Sequence, residues 1–472
     1  MDTISLASRR GAAILATCCM CLFIVGIDVT AVNVALPSIS RDLNASPSEL
    51  QWVLDAYALA IASLLILSGS VADRIGRRRV FRIGLTIFGL GSIACSLATS
   101  PGLLIGARVL QAVGGSMLNP VAMAIVTNTF TDQKERNRAI GFWGGTFGLS
   151  MALGPVAGGA LVSAAGWRSI FWLNAPVVIL ALVLTTLLVP ESRAEHPRRF
   201  DAIGQVLMVI LLGTLTYSII EGRGLGWFSA AVISCFVATI AALAMFAVVE
   251  SRTSQPLIDP TFFRSLPFSG AVVSAIVGFA SMGGFLLLNT LYLQQVRGYS
   301  ALHAGLMTLP MAASTALAAP LSGRWVSNSG PRGPLLCAGV GIAVSGGLLA
   351  QITPTSSVPY LGIAYFIFGI GFGLLNPPIT SAAVAGMPRA QAGVAAGIAS
   401  TSRQVGAALG VAVLGAIAFG RLHGPIKSGL AEASHASFLV MMVSGVVLAI
   451  VGYVVTTQHA DQSAERAMAE SS

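Results

Sequence analysis

The feature that most constrains this chain is the recurrence, along nearly its whole length, of long apolar stretches separated by short turns. A helix rises about 1.5 Å per residue, so roughly 20 apolar residues cross the ~30 Å hydrocarbon core of a bilayer. Inside that core only helices and closed barrels satisfy their own backbone groups. The pattern predicts an all-α, polytopic membrane protein with fourteen spans: Gly11–Leu36, Leu50–Val71, Val80–Ala98, Leu103–Phe130, Ala139–Ala164, Phe171–Val189, Ile203–Ile220, Ser229–Val249, Ser269–Leu291, Ala301–Gly323, Pro334–Gln351, Pro359–Val384, Gly393–Phe419 and Ser437–Thr457. Only 10% of the 472 residues are charged, against about 25% in a soluble protein, and little length is left for a large soluble domain. The first apolar run follows Arg9 and Arg10. It contains Asp28 and has no small-residue cleavage site before Pro37, so it reads as a retained span and not a signal peptide.

Basic residues collect in short cytoplasmic loops. With the N-terminus inside, 19 of the 27 Lys and Arg residues fall in inner segments and six outside, while Arg108 and Arg403 lie within spans. The expected location is therefore the cytoplasmic (inner) membrane, multi-pass, with both termini in the cytoplasm. The net charge of +9 follows from this topology and from anionic lipid, not from nucleic acid. Cys18, Cys19, Cys21, Cys95, Cys235 and Cys337 all lie in apolar runs without C-x-x-C spacing or a His cluster, which points to packing and to no metal or cofactor. The motifs G-x-x-x-x-G-K-[ST], H-E-x-x-H and G-x-S-x-G do not occur, so nucleotide cleavage, zinc proteolysis and that serine-hydrolase chemistry lack their parts; no enzyme is expected.

A weak duplication runs at an offset near 255 residues. Leu67-Ser-Gly-Ser-Val-Ala-Asp-Arg-Ile-Gly-Arg-Arg78 aligns with Leu321-Ser-Gly-Arg-Trp-Val-Ser-Asn-Ser-Gly-Pro-Arg332, Gly114-Gly-Ser-Met-Leu-Asn-Pro120 with Gly371-Phe-Gly-Leu-Leu-Asn-Pro377, and Ala152-Leu-Gly154 with Ala408-Leu-Gly410. Chance similarity between Gly- and Ala-rich stretches explains any one match, but not three in order. Internal repeats of this kind mark transporter halves. The predicted organisation is a six-helix bundle over residues 1–190, an inserted two-helix linker with flanking cytoplasmic loops over 191–267, a second six-helix bundle over 268–457, and a cytoplasmic tail over 458–472.

A few polar residues interrupt the spans. Asp28 lies deep in the first, within Ile27-Asp-Val-Thr-Ala-Val-Asn-Val-Ala-Leu-Pro37. A central charge costs roughly 2.5–3.5 kcal/mol on insertion scales, which makes such an acid a functional candidate by default. It either handles a proton or cation or serves as a structural acid, hydrogen-bonded to Thr30 or Asn33 or capping a broken helix. Arg108, in Leu103-Leu-Ile-Gly-Ala-Arg108-Val-Leu-Gln111-Ala-Val-Gly114, needs a counter-charge or carbonyl partners; Asp28 is one candidate, and snorkelling to the interface is the alternative. Asp55, in Gln51-Trp-Val-Leu-Asp55-Ala-Tyr57, is either a second relay acid or a hydrated residue beside an interfacial belt of Trp52 and Tyr57. Arg403 either snorkels or pairs between bundles.

Two Gly-rich segments stand out. In Gly69-Ser-Val-Ala-Asp73-Arg74-Ile-Gly76-Arg77-Arg78-Arg79, Gly69 and Gly76 allow a tight turn, and Asp73 can pair with basic residues or a helix N-terminus, as a cytoplasmic gate would require. A positive-inside loop accounts for the arginines but not for the Gly-x-x-x-Asp-x-x-Gly spacing. In Gly144-Gly-Thr-Phe-Gly148-Leu-Ser-Met-Ala-Leu-Gly154-Pro155-Val-Ala-Gly158-Gly159, glycines flatten one helix face and Pro155 removes a helix hydrogen bond, which predicts a hinge built on Gly148, Gly154, Pro155, Gly158 and Gly159; the alternative is ordinary close helix packing. The equivalent position in the second half reads Gly410-Val411, without Pro.

These segments, with Ile27–Pro37, Leu103–Gly114, Ser400–Gly406 and Trp167–Pro176, resemble those of the major facilitator superfamily, and specifically its fourteen-span drug:proton antiporters, end to end. The resemblance implies two six-helix bundles plus two extra helices, no cofactor, a monomer in a lipid bilayer, and proton-coupled outward transport of small molecules by alternating access. Proton coupling falls on Asp28, Arg108 and Asp55, the gate on Gly69, Asp73, Arg74, Gly76, Arg77 and Arg78. Spans nine to fourteen hold no Asp or Glu, which favours lipophilic monocations or neutral compounds over dications. Asn33, Phe142, Trp143, Phe285 and Asn289 are placed near a substrate cavity from depth alone. The alternative is a proton-coupled or facilitative transporter of one metabolite with the same fold, against which the span-five segment speaks.

Overall fold

Polar residues at the turns decide where the helices begin and end. In the computed structural model, which describes residues 5–193, 201–253, 260–384, 392–457, 460 and 462–463, all regular structure is helical. The helices are α1 (Arg9–Leu43), α2 (Pro47–Ile75), α3 (Arg77–Ser96), α4 (Pro101–Thr129), α5 (Gln133–Ala165), α6 (Arg168–Leu188), α7 (Ala202–Leu225), α8 (Ala230–Arg252), α9 (Leu266–Leu291), α10 (Ala301–Met307), α11 (Leu309–Ser329), α12 (Arg332–Leu349), α13 (Val358–Val384), α14 (Ala392–Gly420) and α15 (Ile426–Val454). The Ser8 hydroxyl caps α1 by accepting from the Gly11 amide, and Ser46 with Glu49 forms a capping box on α2 with Pro47 in its first turn. Asn44, at φ 52°, closes α1 in the left-handed region that Asn tolerates better than most residues.

Among the described residues, thirteen helices or helix pairs are long and apolar enough to cross a bilayer. The remaining one, α5, has 33 residues, of which Leu153–Ala165 forms a described apolar stretch. Several boundaries differ from expectation, the largest shift being at α15, which begins at Ile426 and not at the expected Ser437. α1 continues through Pro37 to Leu43, beyond the expected end at Leu36. The tenth span divides at Thr308 into α10 and α11, because Pro310, in the first turn of α11, supplies no amide for a continuous helix. α9 runs on into a single π-helical turn, Tyr292–Val296.

The chain forms two compact units, Met1–Ala202 and Ile203–Ser472. In the first, α1 packs on α5 and α6, α4 on α2 and α3, and α3 on α6. The second repeats this plan: α9 on α14 and α15, α13 on α11 and α12, and α12 on α15. Helices α7 and α8 have no counterpart in that correspondence and belong to the second unit, where Arg223 donates to the Phe419 carbonyl. The most apolar window of α8 is only 17% buried, against 72% for α9, so α8 lies at the periphery and α9 near the centre of the unit. The large apolar side chains exposed on α6 in the first unit, and on α8 and α15 in the second, suit hydrocarbon and not water.

Candidate functional site

Among the described residues, the first unit buries one ion pair completely. Asp28 of α1 and Arg108 of α4 are each 1% exposed, and Arg108 Nη1 donates to Asp28 Oδ2 at 2.5 Å. The guanidinium also donates from Nη1 to Gln111 Oε1 at 2.6 Å and from Nε to the Val53 carbonyl of α2 at 3.2 Å. Gln111 Nε2 donates to Asp28 Oδ1 at 2.9 Å and to Ser92 Oγ of α3 at 2.8 Å. Asn174 Nδ2 of α6 reaches the same two acceptors at 3.3 and 2.8 Å. One carboxylate and one guanidinium therefore tie five helices together, with both Asp28 oxygens accepting charge-assisted or amide hydrogen bonds. The apolar side of the guanidinium is covered by aromatic rings: its carbon lies 3.9 Å from the Tyr57 centroid and 5.8 Å from that of Phe171.

Spacing explains part of this assembly. Arg108 and Gln111 are three residues apart and share one face of α4. Ser92, Asn174 and Tyr57 carried no sequence signal that tied them to Asp28. Tyr57, expected in an interfacial belt, lies 2% exposed beneath Arg108. Asp55 also differs from the hydrated alternative: it is fully buried, and neither carboxylate oxygen has a hydrogen-bond partner among the described residues.

The Gly-Pro segment of α5 packs directly on the Asp28 helix. A Cβ on Gly154 would overlap the Thr30 side chain, and one on Gly158 would lie 2.8 Å from Ala31 Cα, so α5 packs closely on α1 two and three residues beyond Asp28. Pro155 and Gly159 are buried in the same stretch. Gly148 is helical, but its surroundings lie outside the described residues.

In the Gly69–Arg79 segment only Gly76 occupies a turn. Its φ of +114° favours glycine, and a Cβ there would fall 2.6 Å from Glu191 Oε1. Gly69, expected to allow a tight turn, sits inside α2 with room for a Cβ, the nearest atom being Pro120 Cβ at 3.9 Å. Asp73 pairs with Arg77 one turn on, at 2.8 Å. Glu191, which sequence reasoning passed over, accepts from the Arg78 amide at 3.0 Å, while Ser192 O accepts from the Arg77 amide at 2.9 Å. The chain after α6 thus caps the N-terminus of α3 with a carboxylate, where the helix dipole favours negative charge. The signal available was one acid directly after an apolar span in a loop region rich in arginine.

The residues placed near a cavity by depth divide. Phe142 is 62% exposed. Trp143 Nε1 and Asn33 Oδ1 are buried without a partner among the described residues, while Asn33 Nδ2 donates to the Val29 carbonyl at 2.9 Å. Phe285 and Asn289 are enclosed in the second unit and face one another's neighbours: the Tyr365 hydroxyl donates to Asn289 Oδ1, and Phe285 meets Tyr365 edge-on at 5.4 Å and stacks on Phe368 at 4.5 Å. The repeat gives this cluster meaning. At one offset of 257 residues, Asp28, Arg108 and Gln111 fall on Phe285, Tyr365 and Phe368. Each triad makes mutual contacts at the crossing of two matching helices, charged in the first unit and aromatic in the second.

The family model of the Major Facilitator Superfamily matches residues 18–411. A multidrug resistance protein, Stp, of Mycobacterium tuberculosis is 37% identical over 455 residues, covering 95% of this chain and 84% of its own. A tetracenomycin C resistance and export protein of Streptomyces glaucescens is 35% identical, covering 88% and 77%. A crystal structure of the peptide transporter POT in complex with sulfate superimposes with a TM-score of 0.70 over 98% of each chain at 16% identity, a likeness of fold alone. The chain is a multi-pass membrane protein, and it belongs to the major facilitator superfamily.

Proposed function

We propose that this protein exports small lipophilic cationic or neutral compounds from the cytoplasm in exchange for protons, by alternating access. The buried Asp28–Arg108 pair carries the reading. Desolvating two charges is expensive, and a fully buried pair is weak evidence for stability as such. Its value lies in being bistable: a proton arriving on Asp28 cancels the attraction to Arg108 and leaves the guanidinium to Val53 O, Gln111 and the Tyr57 ring. The helices α1 and α4 then favour a different packing, and α1 passes the change to α5 through the Gly154 and Gly158 contacts beside Pro155. The names of the relatives, resistance and export, support the outward direction. Asp55, buried and unpaired, is a second carboxyl able to hold a proton. The Asp73–Arg77 pair and the Glu191 cap fasten the cytoplasmic gate.

In this reading the protein is a monomer of the cytoplasmic membrane with both termini inside, and α7 and α8 are an inserted pair between two six-helix bundles. The absence of Asp and Glu from spans nine to fourteen, together with the aromatic triad at Phe285, suits substrates with at most one positive charge. A toxicity and efflux panel in an exporter-deficient bacterium tests the proposal, comparing wild type with Asp28→Asn under an imposed proton gradient. Wild type lowers accumulation of lipophilic monocations and the variant does not; equal export by the variant would show that coupling lies elsewhere.

A further inference from the structure

The second unit carries an apolar cavity of about 650 Å³ that the proposed transport cycle does not use, within the roughly 300–1,000 Å³ of sites that enclose a small ligand. Its walls come from Ile219 of α7, Val413 and Ile417 of α14, and Leu439 and Val440 of α15. Trp227, in the turn between α7 and α8, and Arg421, just past the end of α14, complete the lining at one end. Leu439, Val440 and Trp227 are also among the exposed large apolar side chains of the unit, so the cavity opens sideways onto the surface that faces hydrocarbon.

Its polar end lies at the level of the bilayer interface. The α7–α8 turn projects Leu225, Trp227 and Phe228, the last 91% exposed, and aromatic residues so placed belong at the headgroup boundary. Arg421 is exposed and makes no ion pair among the described residues. Arg223, nearby on α7, is tied to the Phe419 carbonyl at the C-terminal end of α14. The acids on the same helices are Glu221, half-buried on α7, and Glu432, exposed on α15; neither lines the cavity. The combination is an apolar slot open to the lipid with a free guanidinium at its mouth.

We infer that this slot binds an anionic glycerophospholipid, with one acyl chain in the cavity and its phosphate on Arg421. A zwitterionic lipid offers the same chain but brings an ammonium group to the guanidinium. A free anion offers the charge but leaves the apolar walls uncovered. The α7–α8 pair, which has no equivalent in the first unit, gains a function here: it supplies one wall of a lipid site that seats it against α14 and α15.

The test uses full-length protein in phosphatidylcholine vesicles containing a graded fraction of brominated phosphatidylglycerol or brominated phosphatidylcholine. Quenching of Trp227 fluorescence is isolated by difference from Trp227→Phe. Brominated phosphatidylglycerol should half-quench Trp227 at about fivefold lower fraction than brominated phosphatidylcholine, as one basic contact near a membrane surface provides. Arg421→Gln should erase that preference and Arg421→Lys retain it. Ala416 of α14 also lines the slot, and Ala416→Phe, which fills it without altering charge, should reduce Trp227 quenching by both lipids. Equal quenching of wild type by the two lipids, a preference that survives Arg421→Gln, or a preference abolished by millimolar inorganic phosphate would overturn the assignment, the last by revealing a free-anion site.

Discussion

Replacing Asp28 by Asn removes the carboxylate that touches Arg108 while keeping its shape. The guanidinium is then left 1% exposed with two neutral acceptors, Val53 O and Gln111 Oε1, and an aromatic face. Breaking one partner out of a buried pair costs about 3–5 kcal/mol, because the remaining charge is uncompensated. The substituted amide still offers a carbonyl to Arg108, so the loss should fall near the lower bound. For a unit of about 200 residues, each kcal/mol lowers the midpoint by roughly 2–4 °C, which gives a drop of order 10 °C. The double variant Asp28→Asn, Arg108→Gln has no buried charge left and should recover most of that loss, since a neutral set of matching volume is nearly as stable as the pair. Thermal unfolding of detergent-purified protein, followed by the monodisperse fraction remaining after heating, measures all four corners of the cycle. A coupling free energy above about 2 kcal/mol is expected, at the upper end of what contacting residues show. If Asp28→Asn melts within about 2 °C of wild type, less than a single kcal/mol would shift it, or if the double variant is no better than the single, Arg108 does not depend on Asp28 and the argument from buried charge fails. Transport is expected to be lost in both variants, which separates the stabilising role of the pair from its coupling role.

Three further outcomes follow from particular contacts. Gly154→Ala should cost about 1–3 kcal/mol through overlap with Thr30, and Thr30→Ala should relieve the Oγ1 part of it while leaving the Thr30 Cβ at 2.9 Å, whereas Gly158→Ala meets the Ala31 backbone and should not be rescued that way; melting of the single and paired variants decides this. Asp55→Leu should leave melting unchanged or raise it, because it replaces an unpartnered buried polar group with an apolar one, while export should lose its dependence on outside pH; a clear drop in melting would mean that Asp55 has a structural partner. Glu191→Gln should weaken the cap on α3 by about 1 kcal/mol, seen as roughly fivefold faster amide exchange at Arg78 with the rest of the unit unchanged.

Much of the fold was legible because the bilayer permits so few solutions. Apolar length alone located the spans, whereas the caps at Ser8 and Ser46 and the first-turn Pro47 start α1 and α2 ahead of the expected Gly11 and Leu50, through local chemistry that apolar length does not register. Where a turn needed a special conformation, the sequence also said so, as at Gly76; the same argument failed at Gly69 because glycine there lies within a helix that needs none. The break between α10 and α11 shows the same limit: a proline fixes that a helix must adjust, but not whether the helix continues past it, as at Pro37 in α1, or divides.

By itself the sequence determined that this is a helical membrane protein, and that Asp28 and Arg108 need a partner within a medium that tolerates neither alone. Only the tertiary structure decided which partners they have. Helical spacing fixes which residues share a face, so Arg108 and Gln111 could be joined in advance. It does not fix which helices lie side by side, and Ser92, Asn174 and the Val53 carbonyl come from three others. The same packing put Tyr57 under the guanidinium and sealed Asp55 from water, and it set Phe285, Tyr365 and Phe368 where the first unit holds its charges. Polar groups in a low-dielectric interior must find one another across helices, and that meeting is a property of the packed structure.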